Sequence, residues 1–112
     1  MKIAFTSTGK TWDSIMDSRF GRTEFIVVFN EETKELEVVD NSAVKNEAHG
    51  TGTATAQKMY EIKPNVLITG NGPGETAATA LKNLNMKIYV DAHNLTLEQA
   101  YESYRNGALK EI

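Results

Sequence analysis

The stretch Val66 to Leu84, VLITGNGPGETAATALKNL, restricts the folds open to this chain more than any other. Val66-Leu67-Ile68 is a short apolar run closed by Thr69 and Gly70, the pattern of a strand covered on both faces. Gly70, Gly72 and Gly74 allow positive φ angles or close approach of a partner. Pro73 stiffens the turn just before, or at, the first helical position. Ala77, Ala80, Leu81 and Leu84 then recur at i, i+3, i+4 and i+7, one apolar stripe of a helix. Strand, glycine turn and helix in that order build an α/β sheet, in which ligands sit beyond the carboxyl ends of the strands. The helix start adds N–H donors and a partial positive charge for an anion. GNGPGE is neither G-x-G-x-x-G nor a P-loop. The stretch taken alone therefore suits a ligand cradle and a plain chain reversal equally.

The remaining elements extend this frame. Met1 to Thr6 reads as a first, central strand, because Ile3-Ala4-Phe5 is nearly continuous apolar sequence. Thr11 to Arg22 has no sustained period and forms a long loop, with Trp12, Ile15, Met16 and Phe20 folding it back onto the domain. Thr23 to Asn30 and Glu35 to Asp40 are β-rich and joined by a short polar turn, an antiparallel hairpin. Alternation in Glu35 to Asp40 predicts a strand with one wet face. Asn41 to Gly52 reads as a loop, and Thr53 to Ile62 as a helix stopped by Pro64. Lys87 to Val90 is a last short strand. Asn94 or Thr96 caps a final helix with the stripe Leu97, Ala100, Tyr101, Tyr104, and Gly107 ends it. The expected fold is one α/β domain over 1–112, with a mixed five-stranded sheet in the order 3-2-1-4-5. Strand two is antiparallel, and helices cover both faces. Strands one and four are then central neighbours, and their ends deliver Ser7-Thr8-Gly9 and Gly70-Asn71-Gly72 to one side of the sheet.

Composition removes several function classes. With 112 residues and a net charge of −3, the chain is one domain without the basic balance of a nucleic-acid binder. It has no apolar run long enough to span a membrane and no signal-like start, so a cytoplasmic protein is expected. There are no cysteines. Disulfides, thiolate zinc sites and cysteine nucleophiles are excluded, and a metal or cluster would need His, Asp, Glu, Met, backbone groups or hydrogen bonds. An enzyme is not expected. The first and fourth strands lack the acids of a two-metal nuclease, and there is no G-x-S-x-G elbow.

The candidate ligand residues lie in the loops. Arg19 and Arg22, separated by Phe20 and Gly21, can grip an anion through forked hydrogen bonds. Alternatively, Arg19 pairs with Asp13 or Asp17 and pins the loop. His49, before Gly50 at the second loop's end, is either a metal ligand or an ordinary loop histidine, and His93 is a second candidate after the last strand. Ser7, Gly9, Gly70, Asn71, Gly72 and Gly74 complete the set through the two turns.

Three segments together carry a family resemblance: KIAFTSTG…WDSIMDSRFGR at the start, AHGTGTATA at 48–56, and ITGNGPGETAATAL. The chain resembles the dinitrogenase iron–molybdenum cofactor biosynthesis family over nearly its whole length, most specifically in S-R-F-G-R. The resemblance implies a ribonuclease H-like fold. It also implies binding or carriage of an iron–molybdenum or iron–sulfur cofactor or precursor, with cofactor-assembly proteins as partners. The Gly-rich turn leaves two other readings: a module for a phosphorylated metabolite or nucleotide, and a scaffold without a small ligand.

Overall fold

The computed structural model describes residues 1–45 and 50–112. The chain runs β1 (Lys2–Ser7), β2 (Phe25–Asn30), β3 (Glu35–Asp40), α1 (Ser42–Lys45), α2 (Thr51–Ile62), β4 (Val66–Ile68), α3 (Glu75–Leu81), β5 (Lys87–Val90), α4 (Leu97–Arg105) and β6 (Lys110–Glu111). The strands form one mixed sheet in the order β3-β2-β1-β4-β5-β6. β1, β4 and β5 are parallel, while β2 runs antiparallel to both β1 and β3.

The apolar run of β1 makes it central for a simple reason. Ile3 and Phe5 point to one face and Ala4 to the other, and all three are fully buried. On the first face, α4 lays Leu97 and Ala100 over Ile3, Phe5, Val27, Phe29 and Ile68. On the second, α2 and α3 lay Ala56, Met59, Ala77 and Leu81 over Ala4, Ile26, Val28 and Leu67. Each fully buried Leu, Ile or Phe side chain contributes about 1.5–3 kcal/mol. The long first loop is pinned by Trp12, whose ring centroid lies 5.5 Å from that of Phe5 and 5.0 Å from that of Phe29. Trp12 is an anchor of the loop, and Met16 and Phe20 are buried beside it in sequence.

Several expectations need correction. The sheet has six strands rather than five. After Gly107, which takes a left-handed turn at φ 72°, Lys110 and Glu111 pair antiparallel with Val90 and Tyr89. Two charged residues carry no strand pattern; β5 supplies the ladder that orders them. β1 extends to Ser7, and β2 begins at Phe25 rather than Thr23. The expected loop over 41–52 contains α1, and α2 begins at Thr51 because Gly50 adopts a left-handed conformation at φ 79°. α3 ends at Leu81, so Leu84 packs against the core from beyond the helix. Strand β3 has no well-buried face: Leu36 and Val38 remain 36% and 38% exposed. It lies at the sheet edge, where Val39 on the other face is half-buried against the core.

The cap of α4 behaves as its spacing predicts. Thr96 Oγ1 accepts from Gln99 N, and Gln99 Oε1 accepts from Thr96 N, a reciprocal capping box. Thr96→Ala should cost about 1 kcal/mol in urea denaturation, with the folded structure otherwise unchanged.

Candidate functional site

Parallel pairing of β1 with β4 ends at Phe5 beside Ile68, so the next residues, Thr6 of β1 and Thr69 just after β4, lie side by side. Their hydroxyls lie 2.8 Å apart, and Thr6 Oγ1 also donates to the Asp17 carbonyl. This buried knot joins the ends of both central strands to the long first loop. It also puts the turns after β1 and β4, the start of β2 and the residues after β5 on one edge of the sheet.

From that knot the segment Ser18-Arg19-Phe20-Gly21-Arg22 runs across the edge. At one end, Asn71 N donates to the Ser18 carbonyl at 2.8 Å. Gly70 is packed so closely on Ser18 that a Cβ there would stand 2.5 Å from Ser18 Cα and 3.3 Å from His93 Cβ. At the other end, a Cβ on Gly21 would stand 2.8 Å from Gly52 N and from Thr51 Oγ1, while Thr55 Oγ1 donates to the Gly21 carbonyl. Phe20, buried in the second-face core, ties the segment down between them. S-R-F-G-R therefore threads from the Gly70 turn to the start of α2. The glycines at its two crossings serve close approach.

The same edge collects helix starts. Gly52 of α2 lies against Ala77 of α3, with 3.1 Å from a Cβ on the glycine to that of the alanine. Neither Gly50 before α2 nor Gly74 before α3 provides a side-chain cap; α2 carries no acid in its first turn, whereas α3 carries Glu75. Leading N–H groups of a helix without a side-chain cap are donors for an incoming anion. Gly74 has open space where a Cβ would be, and Asn71 and Gly72 are exposed.

Asp17 governs the charge here. Its side chain is 3% exposed, against 53% for Arg19. Arg19 Nε donates to Asp17 Oδ1 at 3.0 Å and Nη2 to Oδ2 at 3.1 Å, while the backbone N–H groups of Arg19 and Glu24 donate at 3.0 and 3.2 Å. Burial alone would raise the carboxyl's pKa. The hydrogen bonds from Arg19 and Glu24 outweigh it and hold Asp17 below the usual carboxylate range. Arg19 thus pairs with Asp17, and one side of its guanidinium is committed to that pair. Arg22 is half-buried and also engaged.

The other candidates are distributed unevenly. Ser7 is fully buried and its hydroxyl donates to the Gly9 carbonyl; Gly9 packs on the Ser14 side chain. The turn after β1 is thereby folded onto its own loop rather than opened like that of β4. His93 sits exposed beside Gly70 and Ser18. His49 lies outside the described residues. Among the described residues no group of three His, Cys, Asp or Glu side chains is placed to hold a metal ion. Sequence reasoning singled out Asp17 only as a partner for Arg19 and missed the Thr6–Thr69 knot and Ser18. The carboxylate two residues before Arg in D-S-R was the available signal. No local pattern marks the threonines.

The pattern of a family described as dinitrogenase iron–molybdenum cofactor matches residues 1–107. The apo form of the orange protein from Desulfovibrio gigas is 34% identical. That match covers 99% of this chain and 92% of the other, with a TM-score of 0.92. A NifB-like protein from Thermotoga, placed in the DUF35 family, is 30% identical over 98% of this chain and 91% of its own, with a TM-score of 0.82. A search of curated proteins finds no match.

Proposed function

The chain belongs to the dinitrogenase iron–molybdenum cofactor family, and from that premise we propose that it is a small, non-catalytic binding or carrier protein for an anionic metal cluster of the iron–molybdenum or iron–sulfur type. The cluster is cargo, received at the carboxyl edge of β1 and β4. The observation that carries the reading is the meeting of two helix starts without side-chain caps, through Gly52 on Ala77, beside the exposed residues Asn71, Gly72 and Gly74. The donor set fits a cluster held as an anion by N–H groups and by guanidinium charge. It does not fit one anchored by several side-chain ligands, since the described residues offer no such group. In this reading Asn71, Gly72 and Gly74 line the approach, and Gly50, Gly52 and Thr51 present the start of α2. Gly21 sets the spacing, Arg19 and Arg22 balance charge, and His93 is a ligand reserve at the rim; His49 is proposed as a second histidine ligand. Ser7 and Gly9 support the loop behind. A ribonuclease H-like description of the architecture and partner proteins of cofactor assembly belong to the same reading. No helix among the described residues is long and apolar enough to cross a membrane.

Titration with isolated iron–molybdenum cofactor, without oxygen, tests it. The cluster should change the visible spectrum on binding and raise the midpoint of thermal unfolding, because a ligand of the native state stabilises it. Gly74→Ala fills open space and should cost only about 0.5 kcal/mol in the unliganded protein, yet it should reduce the ligand-induced rise. No spectral change and no rise would remove the proposal. A rise produced instead by phosphates or nucleotides, without metal, would transfer the site to a phosphorylated ligand, the reading favoured by the same turn.

A further inference from the structure

We propose that the outer edge of β3 is a docking strand for an extended segment of another protein, one that alternates apolar with basic residues. The inference is independent of the cluster site, since it rests on the far edge of the sheet. Asn41 N donates to the Glu24 carbonyl at 2.9 Å, which fixes the ladder phase between β2 and β3. Counting back in alternation, Val39, Glu37 and Glu35 turn their backbone groups toward β2, and Leu36, Val38 and Asp40 turn theirs outward. The outward carbonyl of Asp40 accepts from Lys58 Nζ at 2.9 Å, as that phase requires. Among the described residues, the N–H and C=O of Leu36 and Val38 have no backbone partner outside the sheet. They form a template for one more strand.

The two faces of β3 define what that strand carries. Leu36 and Val38 project on the face of Phe29 and Val27, to which they are paired, and both remain more than a third exposed. Glu35 and Glu37 project on the opposite face and line a groove of about 420 Å³ in which Lys2 is the one basic residue among the described residues. An added strand with apolar side chains at alternate positions covers Leu36 and Val38. Its basic side chains then meet Glu35 and Glu37, since cross-strand opposite charges attract.

A second copy of this chain fits poorly. Antiparallel self-pairing that matches Leu36 with Val38 sets Glu37 directly against its own copy, a like-charge contact. The next register needs the Asp40 carbonyl, which Lys58 holds.

A short synthetic peptide of alternating lysine and valine is the probe, followed by two-dimensional NMR and amide exchange of the whole chain. The Leu36 and Val38 amides should shift and gain protection, and a glutamate–valine peptide should not produce this. Val38→Pro removes an outward N–H without touching the inner ladder, a position that tolerates proline. It should weaken binding about tenfold or more. The double change Glu35→Lys and Glu37→Lys should reverse the charge preference, and it keeps the test decisive if the proline variant does not fold. Peptide shifts away from β3, binding indifferent to both variants, or concentration-dependent dimerisation of the chain alone through β3 would each overturn the proposal.

Discussion

Asp17→Asn should destabilise the protein by about 3 kcal/mol, the largest loss expected of any change at the candidate site. The carboxylate is nearly fully buried and accepts from Arg19 N and Nε on one oxygen, and from Arg19 Nη2 and Glu24 N on the other. Asparagine keeps one acceptor and puts an NH2 where the second stood. Two donors then face a donor, and the guanidinium loses its counter-charge. The exposed half of Arg19 softens the charge effect, so most of the cost lies in the unmatched hydrogen bonds.

The same group gives the pH dependence. Asp17 has a folded-state pKa below that of the unfolded chain, near 4. The wild-type advantage over Asp17→Asn is therefore complete above the unfolded value and disappears as pH falls through the folded one. Urea denaturation of both proteins at a series of acid pH values checks this. A difference that stays constant into the acid range would show that the ionised carboxylate contributes nothing.

Gly70→Ala should be next in size, at about 2–3 kcal/mol. The added Cβ would stand 2.5 Å from Ser18 Cα, which is backbone and cannot rotate aside. To make room, the turn after β4 must lift from the first loop, which strains the bond from Asn71 N to the Ser18 carbonyl. Amide exchange should show Asn71 losing protection before the core strands do. Gly74→Ala, three residues from alanine-rich α3's first buried side chain and with nothing in the way, is the internal control. Equal destabilisation by the two changes would mean that close packing at Gly70 is not what its glycine serves.

These two residues also separate what was readable in the chain from what was not. The order of strands and helices around β1 and β4, the antiparallel β2 and the capping box at Thr96 follow from patterns a few residues long. So does the placing of the turns after β1 and β4 on one edge, because parallel neighbours must leave the sheet on the same side. The absence of cysteine already decided which chemistries are closed to the protein.

Tertiary structure alone decided that Asp17, and not Asp13, takes Arg19. It decided that Gly70 is glycine for the sake of Ser18 while Gly74 opens to solvent, that β3 keeps both faces wet, and that Lys110 and Glu111 become a strand. Each of these depends on a partner distant in sequence, and no local periodicity records which distant neighbour a residue will meet.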